Sequence, residues 1–323
     1  MYLSNISTHF NRRRALKVFG ALGVSATISY LARSSMAAEI RPQARSFFDP
    51  DIPTALRRAL NYAGDHGFVA SMPQLLNARA NASYDNIIWN TWFTSYTEEN
   101  VLPTPQGNHV VVAVHGGGIL ARPERLERSF HADLDLSNAE GLTGQGAVKI
   151  SLKEAHDLLR GKLPDGTQIP IYTFTEFKAG ITDLPMRYGV VADFKLVKQA
   201  VKGYETFEIL QDDPTMIIRA GGAESLAAYL KKAKNRNNTK KMGTHHPFRR
   251  IDPSQPQCRI PFLAGNKGGR GSDGNTHDGG PGQWGYDADY GIGGNANIVG
   301  IARYVAVANH DVTTSLRNLD FEV

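Results

Sequence analysis

The sequence of 323 residues contains one cysteine, Cys258, and no run of about 20 apolar residues. A single cysteine excludes a disulfide framework and a cysteine-rich zinc module. The lack of long apolar runs argues against a polytopic membrane protein. The His-Glu-x-x-His signature of zinc proteases is also missing, and residues 39–323 contain no Gly-x-Ser-x-Gly. Two well-marked hydrolase signatures are therefore absent.

Composition is that of an ordinary globular protein, because 41% of the residues are hydrophobic and 21% are charged. The formal net charge of +5 arises in residues 1–38, which hold five basic residues and no acidic one. Residues 39–323 hold 31 basic and 31 acidic residues. This balance argues against nucleic-acid binding, which requires a basic surface on the folded domain.

Residues 1–38 have the order of features that is typical of an export signal. The segment Asn11-Arg12-Arg13-Arg14-Ala15-Leu16-Lys17 precedes a mildly apolar stretch, and Ser35-Met36-Ala37-Ala38 suits a cleavage site. The segment resembles a twin-arginine signal peptide, although Ala15 stands where that family usually has phenylalanine. The resemblance implies the twin-arginine export machinery as a partner and a periplasmic or extracellular location. An amphipathic N-terminal helix or a retained membrane anchor is the alternative.

The sequence of residues 39–323 predicts a single α/β domain. Its sheet is expected to be mixed and built from strand-to-helix units. The apolar run His109–Val114 predicts a strand, and a helix is expected at Pro123–Phe130. A second strand is expected at Tyr188–Ala192. Asp193 suits the N-cap of the helix that follows, and Gly203 suits its end.

A third unit of the same kind is predicted further along the chain. It combines a strand at Thr215–Ala220 with a helix at Glu224–Lys234. Two more elements are predicted between the first and second units. Ser151-x-x-Glu154 is a capping box that begins another helix, and Ile169–Phe174 is expected to form a strand. Alternating strands and helices predict a sheet covered on both faces, with a pocket at the carboxyl ends of its strands.

A long Gly-rich loop is expected at about 265–297, before a C-terminal strand at Ile298–Ala308. Residues 265–300 carry 13 of the 32 glycines. Within this loop, Trp284 and Tyr286 suit stacking on a sugar ring, or they pin the loop to the body of the domain. The Asp- and Gly-rich run 273–280 invites comparison with calcium loops, but it fails the EF-hand template.

The segment His115-Gly116-Gly117-Gly118 follows the first predicted strand. Esterases and lipases of the α/β-hydrolase type have an HGGG-like loop in that place. By this resemblance, the amides of Gly117 and Gly118 would hold an oxyanion and His115 would take part in catalysis. His310 is a further candidate for a catalytic base. The alternative is a tight turn from strand to helix.

Two other patterns are candidates for binding chemistry. Gly221 and Gly222 would offer free amides to a phosphorylated or carboxylate ligand at the start of a helix, with Arg219 adding a positive charge. His131 and Asp133 would lie on one face of an extended strand, as ligands of a divalent metal require. Proteins exported by the twin-arginine route often carry a cofactor, which also makes a metal a candidate here.

Two hypotheses for the function follow from these patterns. The first is an exported soluble enzyme, best described as a metal-assisted or esterase-like hydrolase. The second is a non-catalytic periplasmic protein that binds a ligand or another protein, with a small molecule or a glycan as its ligand. Neither hypothesis includes nucleic acid as a partner or a stable span of the membrane.

Overall fold

The structure of the protein is a computed structural model. It describes residues 43–130, 139–143, 147–200, 203–236, 241–245, 251–263, 269–270, 276–282, 296–302 and 320–322. The helices in these ranges are α1 Ile52–Ala63, α2 Met72–Asn81, α3 Pro123–Phe130, α4 Leu152–Leu159, α5 Phe174–Ala179, α6 Phe194–Lys198, α7 Phe207–Gln211, α8 Pro214–Ala220 and α9 Ala223–Asn235, with a short 3₁₀ helix at Ile87–Trp89. The strands are β1 Gln43–Asp49, β2 Phe68–Val69, β3 Phe93–Thr94, β4 Thr97–Pro103, β5 His109–His115, β6 Val148–Lys149, β7 Ile171–Thr173, β8 Tyr188–Asp193, β9 Gly203–Thr206, β10 Lys241–His245, β11 Gln257–Arg259, β12 Phe262–Leu263, β13 Gly269–Arg270, β14 Thr276–Gly282, β15 Ala296–Ala302 and β16 Asp320–Glu322.

Short side chains that cap the first turn explain where several helices begin. Asp51 accepts a hydrogen bond from the amide of Thr54 and begins α1. Ser151 and Glu154 form the expected capping box of α4, and Asp193 caps α6. Each cap satisfies an amide that has no partner within its own helix. The helix starts predicted from Ser151 with Glu154 and from Asp193 are confirmed.

The strands form three sheets. The terminal sheet has the order β16-β1-β15-β2, and the central sheet has the order β6-β11-β4-β5-β8-β7. A third sheet has the order β3-β12-β14-β10-β9, with β13 paired to β14. In the central sheet, β7 and β8 are parallel, whereas the pairs formed by β4, β5, β6, β8 and β11 are antiparallel. The predicted mixed sheet is therefore confirmed.

The central sheet is covered on both faces, as the apolar runs predicted. Along β5, Val111 and Ala113 belong to one apolar cluster, whereas Val112 and Val114 belong to the other. The first cluster includes residues of α2, α8 and α9, and the second includes residues of α1, α3 and α4. This follows from the two-residue period of a strand, which sends successive side chains to opposite faces.

One predicted strand is wrong. Thr215–Ala220 lies in α8, because Asp213 accepts a hydrogen bond from the amide of Met216 and Pro214 occupies the first turn. All residues of the run are buried, so it has no exposed face to reveal a helical period. A short apolar run of this kind does not distinguish a buried strand from a buried helix.

Several predicted boundaries also need correction. The helix after Asp193 ends at Lys198, and Gly203 begins β9 instead of ending that helix. The strand expected at Ile169–Phe174 is shorter, because Thr173 and Glu176 form a capping box that begins α5. The predicted Gly-rich loop contains the strands β13 and β14, so it is not without regular structure.

The expected C-terminal strand is present as β15, whose described residues end at Ala302. The expected pocket at the carboxyl ends of the strands assumes parallel neighbours. Here β5 is antiparallel to both β4 and β8, so its carboxyl end lies at the opposite end of the sheet from theirs, whereas β7 and β8 are parallel. By their contacts, residues 40–323 form one unit. Among the helices of the described ranges, none is long and apolar enough to cross a membrane.

Candidate functional site

The glycines after β5 make a tight turn against the strand beside it. The amides of Gly116 and Gly117 both donate to the carbonyl oxygen of Tyr96, at 3.0 Å each. Gly117 has a φ of 93°, and a Cβ atom there would lie 2.5 Å from the ring of Tyr96. Glycine is required because the backbone takes a left-handed conformation and touches an aromatic ring.

The next three amides converge on a buried carboxylate, that of Glu98. Gly118 donates to Oε1 at 3.0 Å, Ile119 to Oε2 at 2.7 Å and Leu120 to Oε1 at 2.7 Å. The thiol of Cys258 lies 3.7 Å from Oε2. Burial raises the pKa of Glu98, and the three amides oppose this shift because they stabilise the ionised form. Of the two amides predicted to hold an oxyanion, that of Gly117 thus donates to the carbonyl of Tyr96 and that of Gly118 to the protein's own carboxylate.

His115 lies in the interior, with no exposed surface. Thr97 Oγ1 accepts a hydrogen bond from the amide of Met72 and is hydrogen-bonded to His115 Nδ1 at 3.0 Å. The other ring nitrogen, Nε2, makes no hydrogen bond of good geometry to the described residues. Burial lowers the pKa of His115 to about 3, although the backbone of Ile218 opposes the shift. His115 is therefore neutral at pH 7, and it lies at no surface where a substrate could meet it.

Arg219 is equally buried and pairs with Glu99 instead of facing a ligand. Its Nε donates to Oε1 at 2.6 Å and its Nη2 to Oε2 at 2.9 Å. The amides of Gly221 and Gly222 donate to carbonyls of α8, and Gly221, at a φ of 84°, ends that helix in the left-handed conformation. The structure therefore brings Arg219 and the two glycines together at a helix end, but it directs their donors inward.

The remaining candidate residues lie outside the described ranges: His131, Asp133, Trp284, Tyr286 and His310. Their predicted roles in metal binding, ligand stacking and catalysis stay predictions. Within the part of the chain that the structure describes, no group of three or more His, Cys, Asp or Glu side chains could hold a metal ion.

The accessible candidate site is an open cleft at the β6 edge of the central sheet, with a volume of about 810 Å³. We call it the edge cleft. Its described lining residues are Ala139, Glu140, Lys149, Ile150, Ser151, Glu154, Gln255 and Pro256. The volume lies in the range of about 300–1,000 Å³ that is typical of ligand sites.

The sequence did not predict this cleft, although it indicated the helix start that forms one of its walls. Ser151 and Glu154 were recognised as the capping box of a helix, without a role in a site. The opposite wall, Gln255 and Pro256, comes a hundred residues later and meets the first through a hydrogen bond from the amide of Ile150 to the carbonyl of Pro256, at 3.1 Å. The pattern of either segment alone carries no sign of this pairing.

Comparisons with known proteins add a fold likeness. No family model matches the chain, and no curated protein matches it. A solved structure reported as "Accommodation of massive sequence variation in Nanoarchaeota by the C-type lectin fold" is similar, with a TM-score of 0.54 and 24% sequence identity. The alignment covers 81% of this chain and 99% of that one. The likeness identifies the architecture described above as a C-type lectin fold, and at this identity it shows the fold alone.

Proposed function

We propose that this protein binds a carbohydrate or another small ligand and does not catalyse a reaction. The proposal adopts the second of the two hypotheses drawn from the sequence. The hydrolase hypothesis has no supporting geometry in the described residues. A lectin-like fold favours ligand binding, but a fold by itself does not determine function, so the argument rests on the residues after β5.

The observation that carries the proposal is the occupancy of the amides of Gly118, Ile119 and Leu120 by Glu98. An esterase-like enzyme needs such donors directed at the developing oxyanion. A general base must also reach the proton that it removes. Here the donors face a carboxylate of the same chain and His115 is fully buried. The residues that resembled catalytic machinery thus have a structural use.

The fold comparison gives further support. The similar protein is described as an example of the C-type lectin fold accommodating massive sequence variation. A scaffold that tolerates such variation suits recognition, because the core can hold the fold while surface residues select the ligand. Trp284 and Tyr286 remain candidates for stacking on a sugar ring in this protein.

A pair of assays tests the proposal. The purified protein is applied to a glycan array and to a small-molecule thermal-shift panel, and it is assayed with p-nitrophenyl acetate for ester hydrolysis. We expect ligand binding together with hydrolysis at the rate of the buffer. Hydrolysis above that rate, lost in His115→Ala while the thermal unfolding transition is kept, would restore the hydrolase hypothesis.

The location of the protein is part of the same proposal. If residues 1–38 act as a twin-arginine signal, the ligand is met outside the cytoplasm. Replacing Arg12 and Arg13 together by lysine should then retain the protein in the cytoplasmic fraction. Unchanged export of this double variant would contradict the predicted signal.

A further inference from the structure

The edge cleft has walls that are fixed by one buried side chain, Arg125, which is 5% exposed. Its Nη2 donates to the carbonyl of Lys149 at 2.9 Å, and its Nη1 donates to the carbonyl of Glu140 at 3.3 Å. Its Nε donates to Oε1 of Glu154, also at 3.3 Å. A single guanidinium thus ties together three of the residues that line the cleft.

The backbone around the cleft is paired as well. The amide of Lys149 donates to the carbonyl of Gly141 at 2.9 Å, and that of Ile150 donates to the carbonyl of Pro256. Oε2 of Glu154 accepts from the amide and the hydroxyl of Ser151. Because these groups are already ordered, their conformational entropy changes little when a ligand binds in the cleft.

The two carboxylates of the cleft are paired, Glu154 with Arg125, and Glu140 with Arg128 at 2.7 Å. Lys149, the third charged residue of the lining, is a largely buried residue of β6. Burial acts to raise the pKa of Glu154, but hydrogen bonds from Ser151 and the charge of Arg125 outweigh it, so its pKa is lowered and the carboxylate is ionised at neutral pH. A carboxylate that already has a cationic partner attracts a further charged group weakly. It still offers lone pairs that accept hydrogen bonds from hydroxyl groups.

The other lining residues complete this chemistry. The side-chain amide of Gln255 has no hydrogen-bond partner among the described residues and can both donate and accept. Ile150 and Pro256 are buried apolar residues in the wall, and Ala139 is exposed at the cleft. Paired carboxylates and one amide match a neutral molecule with many hydroxyl groups.

We infer that the edge cleft is the ligand site of this protein and that it takes a neutral oligosaccharide. This inference rests on the proposed function and adds the site and the ligand class to it. Recognition comes from hydroxyl groups bound by Glu140, Glu154 and Gln255.

The first test fills the cleft without removing a contact. Ala139→Trp places an indole at the mouth of the cleft, and Ala179→Trp is the matched control. Ala179 is exposed on α5, which follows β7 at the opposite edge of the six-stranded sheet, roughly 24 Å away by strand spacing. Each protein is applied to a glycan array of neutral and acidic oligosaccharides, and the best ligand is then titrated by calorimetry.

We expect the wild type and Ala179→Trp to bind a neutral oligosaccharide equally well, and Ala139→Trp to bind it at least about tenfold more weakly. Circular dichroism and the unfolding temperature check that both variants are folded. If Ala139→Trp is unfolded, the second test below decides the question.

The second test removes one polar group from the wall. Gln255→Ala should weaken binding about five- to tenfold, the loss expected for one or two hydrogen bonds. Gln211→Ala, on the exposed end of α7, should bind as the wild type does.

Three outcomes would overturn the inference, and they are distinguishable. Wild-type affinity in both Ala139→Trp and Gln255→Ala would keep the proposed function but place the site elsewhere. Preference for acidic oligosaccharides would contradict the neutral ligand. Absence of glycan binding by the wild type would remove the carbohydrate ligand from the proposed function itself.

Discussion

Arg219 and Glu99 are 120 positions apart in the sequence, yet the guanidinium donates to both carboxylate oxygens, at 2.6 and 2.9 Å. Both side chains are buried, with exposed fractions of 0% and 2%. The pair links α8 to β4, across the interface between the helices and one face of the central sheet. Two charges buried in this way depend on each other, because neither has water to replace its partner.

Removal of one partner should therefore destabilise the protein strongly. We expect Arg219→Met to lower the free energy of unfolding by about 3–5 kcal/mol, because the buried carboxylate of Glu99 loses the guanidinium that donates to both of its oxygens. The double variant Glu99→Met/Arg219→Met should recover most of that loss. Urea unfolding followed by circular dichroism measures both. A double variant that is no more stable than Arg219→Met would show that the two residues are not coupled.

The carboxylate of Glu98 should also contribute strongly to stability, because it holds the turn after β5. Glu98→Ala leaves the amides of Gly118, Ile119 and Leu120 without their acceptor. Since hydrogen bonds to a charged group contribute about 1.5–3 kcal/mol each, we expect a loss of more than about 3 kcal/mol in the free energy of unfolding.

Formate can test this variant, because it is a small carboxylate of the kind that Glu98→Ala removes. It should stabilise Glu98→Ala more than an equal concentration of chloride does, and it should leave the wild type unchanged. Glu208→Ala serves as the control, because Glu208 is 68% exposed in its pair with Lys234. An equal response of both variants would argue against an internal anion site.

The turn itself allows a comparison of two glycines. Gly117 and Gly166 have similar φ values, 93° and 83°, but only at Gly117 would a Cβ meet another group, the ring of Tyr96. Gly166→Ala should cost about 1–2 kcal/mol for the left-handed backbone. Gly117→Ala should cost clearly more, because the ring must also move. Thermal unfolding of the two variants compares them, and equal losses would contradict the contact.

His115 should make stability depend on pH. In the unfolded chain its pKa is about 6.5, whereas burial lowers the pKa to about 3 in the folded protein. Between these values the unfolded state binds the proton, so acidification through this range favours unfolding. The contribution is a fall in the free energy of unfolding of about 1.4 kcal/mol per pH unit below pH 6.5.

His115→Gln should remove this part of the slope. Urea unfolding at several pH values from 7 to 4 gives the slope for the wild type and the variant. His66→Gln changes an exposed histidine and should keep the wild-type slope. If the wild type and His115→Gln have the same slope, then His115 is accessible to protons in the folded state.

Local chemistry made much of the secondary structure predictable. Ser151 with Glu154, and Asp193, mark helix starts because their side chains satisfy nearby amides, which is a short-range effect. The continuous apolar run along β5 predicted a strand buried on both faces. The same reasoning failed for Thr215–Ala220, where the helix is buried on all sides and its period does not show.

The sequence by itself therefore determined the helix starts at Ser151 and Asp193, three strands of the central sheet (β5, β7 and β8) and the coverage of both faces, because these depend on neighbours a few residues apart. Only the tertiary structure decided what the polar residues do. It placed Glu98 on the amides after β5, Glu99 on Arg219, and Gln255 beside the capping box of α4. These placements join segments 20 or more, and in two cases 100 or more, residues apart. For Glu98 and Glu99 the partners are set by burial, since a charge removed from water must be satisfied by whichever group the fold brings to it.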